Sequence, residues 1–267
     1  MASLTDHEFN RFQRFIFDAA GITLSASKKP LVSGRLAKRL AQSGCASYAE
    51  YLDLLASQDA AAEAQVAVDL LTTNETYFFR EPKHFELLRE LAQAARAERR
   101  TLRIWSAACS SGEEVYSIAM VLDDILGSAS PWEVLGSDIS TRVLRRARGG
   151  HYPLERTDHI PPAYLKKYCL RGIDAQAGTL LIERQLRQRV RFAQLNLNEA
   201  LPHLGAFDVI FLRNVMIYFS GDTKRQVVAR VLGALKPGGY FCIGHSESLN
   251  DISSAVRQAA PSVYRKP

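Results

Sequence analysis

The sequence predicts an α/β protein: a doubly wound, mostly parallel sheet, preceded by a small all-helical domain and interrupted by a small inserted antiparallel β-subdomain. Three observations carry that expectation. Residues 1 to about 98 show apolar residues at helical spacing and no strand pattern. From Thr101 onward, short apolar runs alternate with amphipathic segments, the signature of strands joined by crossover helices. Between about residues 152 and 190 the alternation breaks, and a period-two run appears among prolines and glycines.

Taken in order, Asp6 is expected to cap a first helix with Phe9, Phe12, Ile16 and Ala19 or Ala20 on one face, stopped by Gly21. A second helix follows Pro30, burying Leu31, Val32, Leu36 and Leu40 and ending at Gly44. Ser47 caps a third with Tyr48, Tyr51, Leu52 and Leu55, and a fourth runs from about Ala60 to Leu71. The domain division is 1–75 helical, 76–98 a linker helix, and 99–267 the sheet domain. In the latter, Thr101–Ser106, Trp132–Ser137, Phe207–Leu212 and Tyr240–Ile243 read as strands. Glu113–Leu126, Thr141–Arg148 and Asp222–Leu235 read as helices, and Lys236-Pro-Gly-Gly239 as a turn. The uninterrupted apolar run Phe207–Leu212 suits a strand covered on both faces. The inserted stretch holds Pro153, Pro161-Pro162, Gly172 and Gly178 before the alternating Thr179–Glu183.

Composition narrows the class. At 267 residues, with 47% hydrophobic and 23% charged residues, the chain suits an ordinary globular protein. No apolar run approaches the roughly 20 residues of a membrane span, and the first residues lack a basic-then-apolar leader, so a cytoplasmic protein with no direct membrane insertion is expected. The four cysteines (Cys45, Cys109, Cys169, Cys242) are scattered and form no CxxC pair, so neither a metal site nor a disulfide framework is expected. A net charge of +6 favours an acidic partner.

The candidate site lies at strand ends. The first strand–helix turn, Trp105-Ser-Ala-Ala-Cys-Ser-Ser-Gly112-Glu113-Glu114, is built of small residues and holds one glycine, so it fails the three-glycine dinucleotide fingerprint. Two glutamates at a helix start disfavour phosphate and suit a cationic group, such as the amino group of a methionine moiety. The second strand ends at Asp138, where a carboxylate can accept both hydroxyls of a ribose. A turn without pyrophosphate glycines, paired with that acid, favours S-adenosylmethionine over NAD. Two further stretches set polar groups against aromatics: Leu71–Pro82, with Asn74, Thr76 and Arg80, and Arg213-Asn214-Val-Met-Ile-Tyr218-Phe219.

With these residues in view the chain resembles the CheR family of chemotaxis receptor methyltransferases. The carrying segments are Thr72–Glu81, Trp105–Glu114 with Tyr116-Ser117, Ser137-Asp138-Ile139 and Phe211–Phe219, joined by Leu235–Gly239 and Gly244-His-Ser-Glu247. Cys109 and Val115 stand where the family commonly has alanine and proline. The resemblance spans nearly the whole chain and implies a Rossmann-like S-adenosylmethionine-dependent methyltransferase that esterifies glutamate side chains, releasing S-adenosylhomocysteine. It implies that Asn74, Thr76, Arg80, Glu114, Asp138, Asn196, Leu197, Arg213 and Asn214 line the cofactor pocket. Asn196 and Leu197 would flank the adenine, and Arg80 and Tyr218 would act on the substrate glutamate. A glutamate with pKa near 4.3 is already ionised at neutral pH. Such a nucleophile needs no general base, which agrees with the absence of a His–Asp or Cys–His constellation.

The second helix carries Lys28, Lys29, Arg35, Lys38 and Arg39, expected as one solvent-facing basic stripe. A stripe of this kind is either a solvated face or, as the resemblance implies, a docking surface for the acidic cytoplasmic helical bundle of chemoreceptors. Leu170–Gly178 resembles the loop with which some relatives bind a receptor C-terminal peptide by strand addition. Two rival functions differ in kind: a methyltransferase acting on nucleic acid, for which no binding motif is present, and a non-catalytic module that senses S-adenosylmethionine.

Overall fold

The computed structural model describes residues 3–57, 59–127 and 131–267. Four helices open the chain: α1 (Asp6–Ala20), α2 (Lys29–Gln42), α3 (Tyr48–Leu55) and α4 (Ala61–Leu71). They enclose a core of their own around Phe12, Ile16, Val32, Leu36, Tyr48 and Tyr51. The cap of α1 is Thr5, not Asp6. The Thr5 hydroxyl accepts the Glu8 amide at 3.2 Å while the Glu8 carboxylate accepts the Thr5 amide at 2.8 Å, a reciprocal box that a lone aspartate at the next position cannot make. Gly21, at φ +70°, ends the helix in the left-handed region. Ser47 caps α3 as its position requires.

The chain continues through α5 (Lys83–Glu98), β1 (Leu102–Ser106), α6 (Glu113–Leu126), β2 (Trp132–Asp138), α7 (Thr141–Gly149), β3 (His151–Pro153), α8 (Pro162–Tyr168), β4 (Cys169–Arg171), β5 (Thr179–Ile182), α9 (Arg184–Gln188), β6 (Val190–Gln194), β7 (Phe207–Leu212), α10 (Gly221–Gly233), β8 (Leu235–Ile243), β9 (Arg257–Ala260) and β10 (Val263–Arg265). The helix expected from residue 76 thus begins at Lys83. Residues 76–82 are a loop in which Phe79 and Glu81 both take positive φ.

The main sheet has the order β6-β2-β1-β7-β8-β10-β9, with the first five strands parallel and the last two antiparallel. Alternate residues feed opposite faces. Ile104, Val209, Phe211 and Cys242 pack under α5 and α6, whereas Trp105, Ile210, Leu212 and Phe241 pack under α10. The inserted subdomain is a separate antiparallel sheet, β3-β5-β4. Lys236–Gly239, expected as a turn, lies inside β8. The strand absorbs it as an irregularity in register against β7, with Gly238 at φ +73°.

The helical domain is joined to the sheet domain by polar bonds. Buried Asp69 of α4 accepts the Thr141 and Arg142 amides at 2.9 and 3.1 Å and the Thr141 hydroxyl at 2.7 Å. A carboxylate from one domain therefore sits at the positive end of α7 in the other.

Candidate active site

In an open α/β sheet the crevice lies where successive connections leave to opposite sides, beyond the carboxyl ends of the strands. Here that point is β1, flanked by β2 and β7. A cavity of about 860 Å³, part of it open to solvent, lies there. Its lining includes Asn74, Thr76, Arg80, Glu114, Asp138, Asn196, Leu197, Arg213, Asn214 and Tyr218. Every residue expected at the cofactor or the reacting centre therefore borders one space. Ala20 and Ile22 add a wall from the helical domain, held there because Asn196 Nδ2 donates to the Ala19 carbonyl at 2.8 Å and the Thr23 amide to the Tyr218 carbonyl at 2.8 Å.

The β1 turn is shaped for close approach. Ala107 and Ala108 give the cavity a wall with little side chain, and Gly112, at φ +94°, opens α6 where an added Cβ would meet Ala147 at 2.9 Å. Asp138 at the end of β2 accepts the Ser110 amide at 2.9 Å and the Ser140 amide at 2.9 Å. Ser140, not Asp138, caps α7. Burial raises the Asp138 pKa, against the lowering effect of those two amides. Two amides do not exhaust a carboxylate's roughly four acceptor directions, so Asp138 can still take hydroxyl protons.

The two glutamates of α6 divide. Glu113 is fully buried away from the cavity, accepting the Ser111 hydroxyl at 2.7 Å and pairing with Arg156 at 2.8 Å. Glu114 lines the cavity, yet both its oxygens already have partners: Ser106 Oγ at 2.7 Å and Arg213 Nη1 at 2.7 Å. The expectation of two glutamates facing a cationic group is thus reduced to one.

Arg213 ties the site together. Nearly buried at the end of β7, it pairs with Glu114, contacts Glu81 Oε2 at 3.1 Å and donates to the Arg80 carbonyl. The Arg80 guanidinium itself donates to the Glu75 carbonyl at 3.2 Å and lies 5.6 Å from the centre of the Tyr77 ring. Two supports act through contacts that the sequence alone does not show. Glu247 accepts the amides of Gly244, Asn214 and Met216 at 2.7–2.9 Å and so fixes the turn that carries Asn214. A Cβ at Gly244 would lie 2.4 Å from Asn214 Nδ2, so a side chain there would displace Asn214. Glu81, His84 and His245 also converge beside Arg213. Burial, followed by the nearby Arg213 charge, lowers the His84 pKa to about 4. The Glu81 carboxyl stays below the usual range against burial, held by Arg213 and the His245 amide. The spacing Glu-x-x-His in 81–84 is the signal that could have drawn attention to it.

On α2 the expected basic stripe is not uniform. Arg35 donates to the Leu71 and Thr72 carbonyls at 2.9 and 3.0 Å, and Arg39 forks onto Glu63 of α4, whose Oε1 also takes the Tyr51 hydroxyl at 2.6 Å. Lys38 is exposed.

A switch-point cavity walled by small residues, with an acid at the end of the adjacent strand, is the arrangement expected of an S-adenosylmethionine-dependent methyltransferase. The SAM-binding domain of CheR methyltransferases matches residues 74–264, and the all-alpha domain of the same family matches residues 7–72. The chain is 44% identical to Chemotaxis protein methyltransferase 2 of Pseudomonas aeruginosa, covering 97% of this chain and 93% of that one. It is 41% identical to the Chemotaxis protein methyltransferase of Escherichia coli, covering 98% and 91%. The chain belongs to the CheR methyltransferase family, and S-adenosylmethionine is its cofactor. Among the described residues no helix is long and apolar enough to cross a membrane.

Proposed function

We propose that the chain transfers methyl groups to glutamate side chains on the cytoplasmic helical bundle of chemoreceptors, forming γ-glutamyl methyl esters in the adaptation step of chemotaxis. The reading rests most on one observation: Arg80, from the loop before α5, and Tyr218, from the short 3-10 turn after β7, border the same cavity as the proposed cofactor residues. When bound, S-adenosylmethionine supplies a sulfonium-activated methyl group. Asp138 takes the ribose hydroxyls, Asn196 and Leu197 flank the adenine, and Asn74, Thr76, Glu114, Arg213 and Asn214 complete the seat.

The acceptor carboxylate arrives ionised, so the protein has no proton to remove and its task is placement. Arg80, tethered by one N–H to Glu75, presents its remaining donors to one carboxylate oxygen, and the Tyr218 hydroxyl steers the other. A full bidentate clamp would over-stabilise the resting carboxylate and slow its attack. Charge is lost along the reaction coordinate, so a cavity that excludes water favours it.

Kinetics on a receptor cytoplasmic fragment test this assignment. Arg80→Ala is expected to lower kcat by about 10²–10³-fold, and Tyr218→Phe by roughly tenfold. The calorimetric Kd for S-adenosylmethionine should change far less in both. Loss of cofactor binding in Arg80→Ala would instead make Arg80 chiefly a cofactor residue. The inserted β3-β5-β4 sheet is proposed as the grip for a receptor C-terminal peptide.

A further inference from the structure

We propose that Glu81, His84 and His245 form a binding site for a divalent transition-metal ion of the zinc class. The inference stands apart from the proposed substrate and would survive its failure. One ligand atom from each of the three residues lies within 4.8 Å of the others. His84 Nδ1 is 3.5 Å from Glu81 Oε2, and His245 Nε2 is 3.8 Å from the same oxygen. Bonds of 2.0–2.1 Å to a tetrahedral ion place its ligands roughly 3.3–3.4 Å apart. The His84–Glu81 pair is already close to that spacing, and the exposed His245 nitrogen lies a few tenths of an ångström beyond it from the same oxygen. Two imidazoles and one carboxylate form the borderline donor set that zinc prefers, with a fourth position left for water.

The second observation is a buried lone pair without a partner. His84 is 1% exposed, and its Nδ1 has no hydrogen-bond partner. Its other nitrogen, Nε2, lies 2.8 Å from Ser262 Oγ. The Ser262 hydroxyl donates to the Pro261 carbonyl at 2.7 Å, so Ser262 Oγ acts as acceptor and His84 Nε2 carries the proton. Nδ1 is then a bare acceptor facing a carboxylate oxygen, an arrangement that costs free energy in a buried site and that a cation between them relieves. A histidine ligand whose far nitrogen is oriented by a fixed acceptor is the usual support of a metal site. Arg213 reaches the same Glu81 oxygen at 3.1 Å. Metal and guanidinium therefore compete for it, one residue from Arg80, which sets the affinity below that of a structural zinc site.

Zinc chloride titrated into the full chain in a calorimeter tests the proposal. The expected result is one ion per chain. His245→Ala removes an exposed ligand and leaves the core intact; Ser262→Ala removes the acceptor that fixes the tautomer. Each is expected to weaken binding by about tenfold or more, and zinc should raise the melting temperature of the unaltered chain but not of His245→Ala. No stoichiometric uptake, or uptake undiminished in His245→Ala, overturns the site.

Discussion

Asp138 answers to two opposing influences. Burial favours its protonated form, whereas the amides of Ser110 and Ser140 favour the carboxylate. Ribose hydroxyls need an acceptor, and a protonated carboxyl turns one of its oxygens into a donor. Because the folded-state pKa lies above the usual aspartate value, the acceptor form is complete only above that raised value and is lost as pH falls through it. Affinity for S-adenosylmethionine is therefore expected to weaken on acidification at a higher pH than an ordinary aspartate would give. Asp138→Asn should weaken binding by about 10–100-fold, the range for hydrogen bonds to a charged group, and remove that pH dependence. Calorimetry across a pH series measures both, and an unchanged Kd in Asp138→Asn would show that this carboxylate does not hold the cofactor. Asp138 was legible in the sequence because the end of a buried strand is a recognisable position. His84 was not, since its partner Ser262 comes from another part of the chain, and Glu247 was visible only within the resemblance, its hold on Asn214 being a tertiary contact.

Helix α2 shows what periodicity can and cannot convey. Its buried face, Val32, Leu36 and Leu40, follows from spacing, while Leu31, also expected inside, is only half-buried. The opposite face read as one basic stripe, yet Arg35 and Arg39 are committed to the Leu71–Thr73 segment and to Glu63. Reversing those two charges would disturb the helical domain and could not isolate docking. Lys38→Glu is the cleaner change: KM for receptor should rise while kcat and cofactor affinity hold, and the difference should shrink as salt screens charges over about 8–10 Å. An unchanged KM at low salt would remove α2 from the docking surface. Other elements mark the same boundary of legibility. Strand β7 was readable as a buried apolar run, whereas β6 mixes Arg191 and Gln194 into a half-exposed strand. The edge strand β9 is exposed along its whole length and offers no alternation to read. The 236–239 segment carries turn residues that tertiary pairing draws into β8, and the loop at 76–82 has no periodic pattern at all.

At the scale of the molecule, the candidate catalytic space belongs to neither domain alone. Ala20 and Ile22 come from the helical part, Asp138 and Arg213 from the sheet, and Asn74, Thr76 and Arg80 from the segment between them. Asp69 on the end of α7 holds the two parts in register. A cavity walled by both domains lets the proposed receptor helix contact both. The most direct measurement is transfer of tritium from methyl-labelled S-adenosylmethionine to receptor-containing membranes. Label should be released as a volatile product on mild base treatment, as a carboxyl methyl ester requires, and should vanish when the acceptor glutamates are changed to alanine. Base-stable label, label in nucleic acid, or equal labelling of the alanine receptor would contradict the assignment.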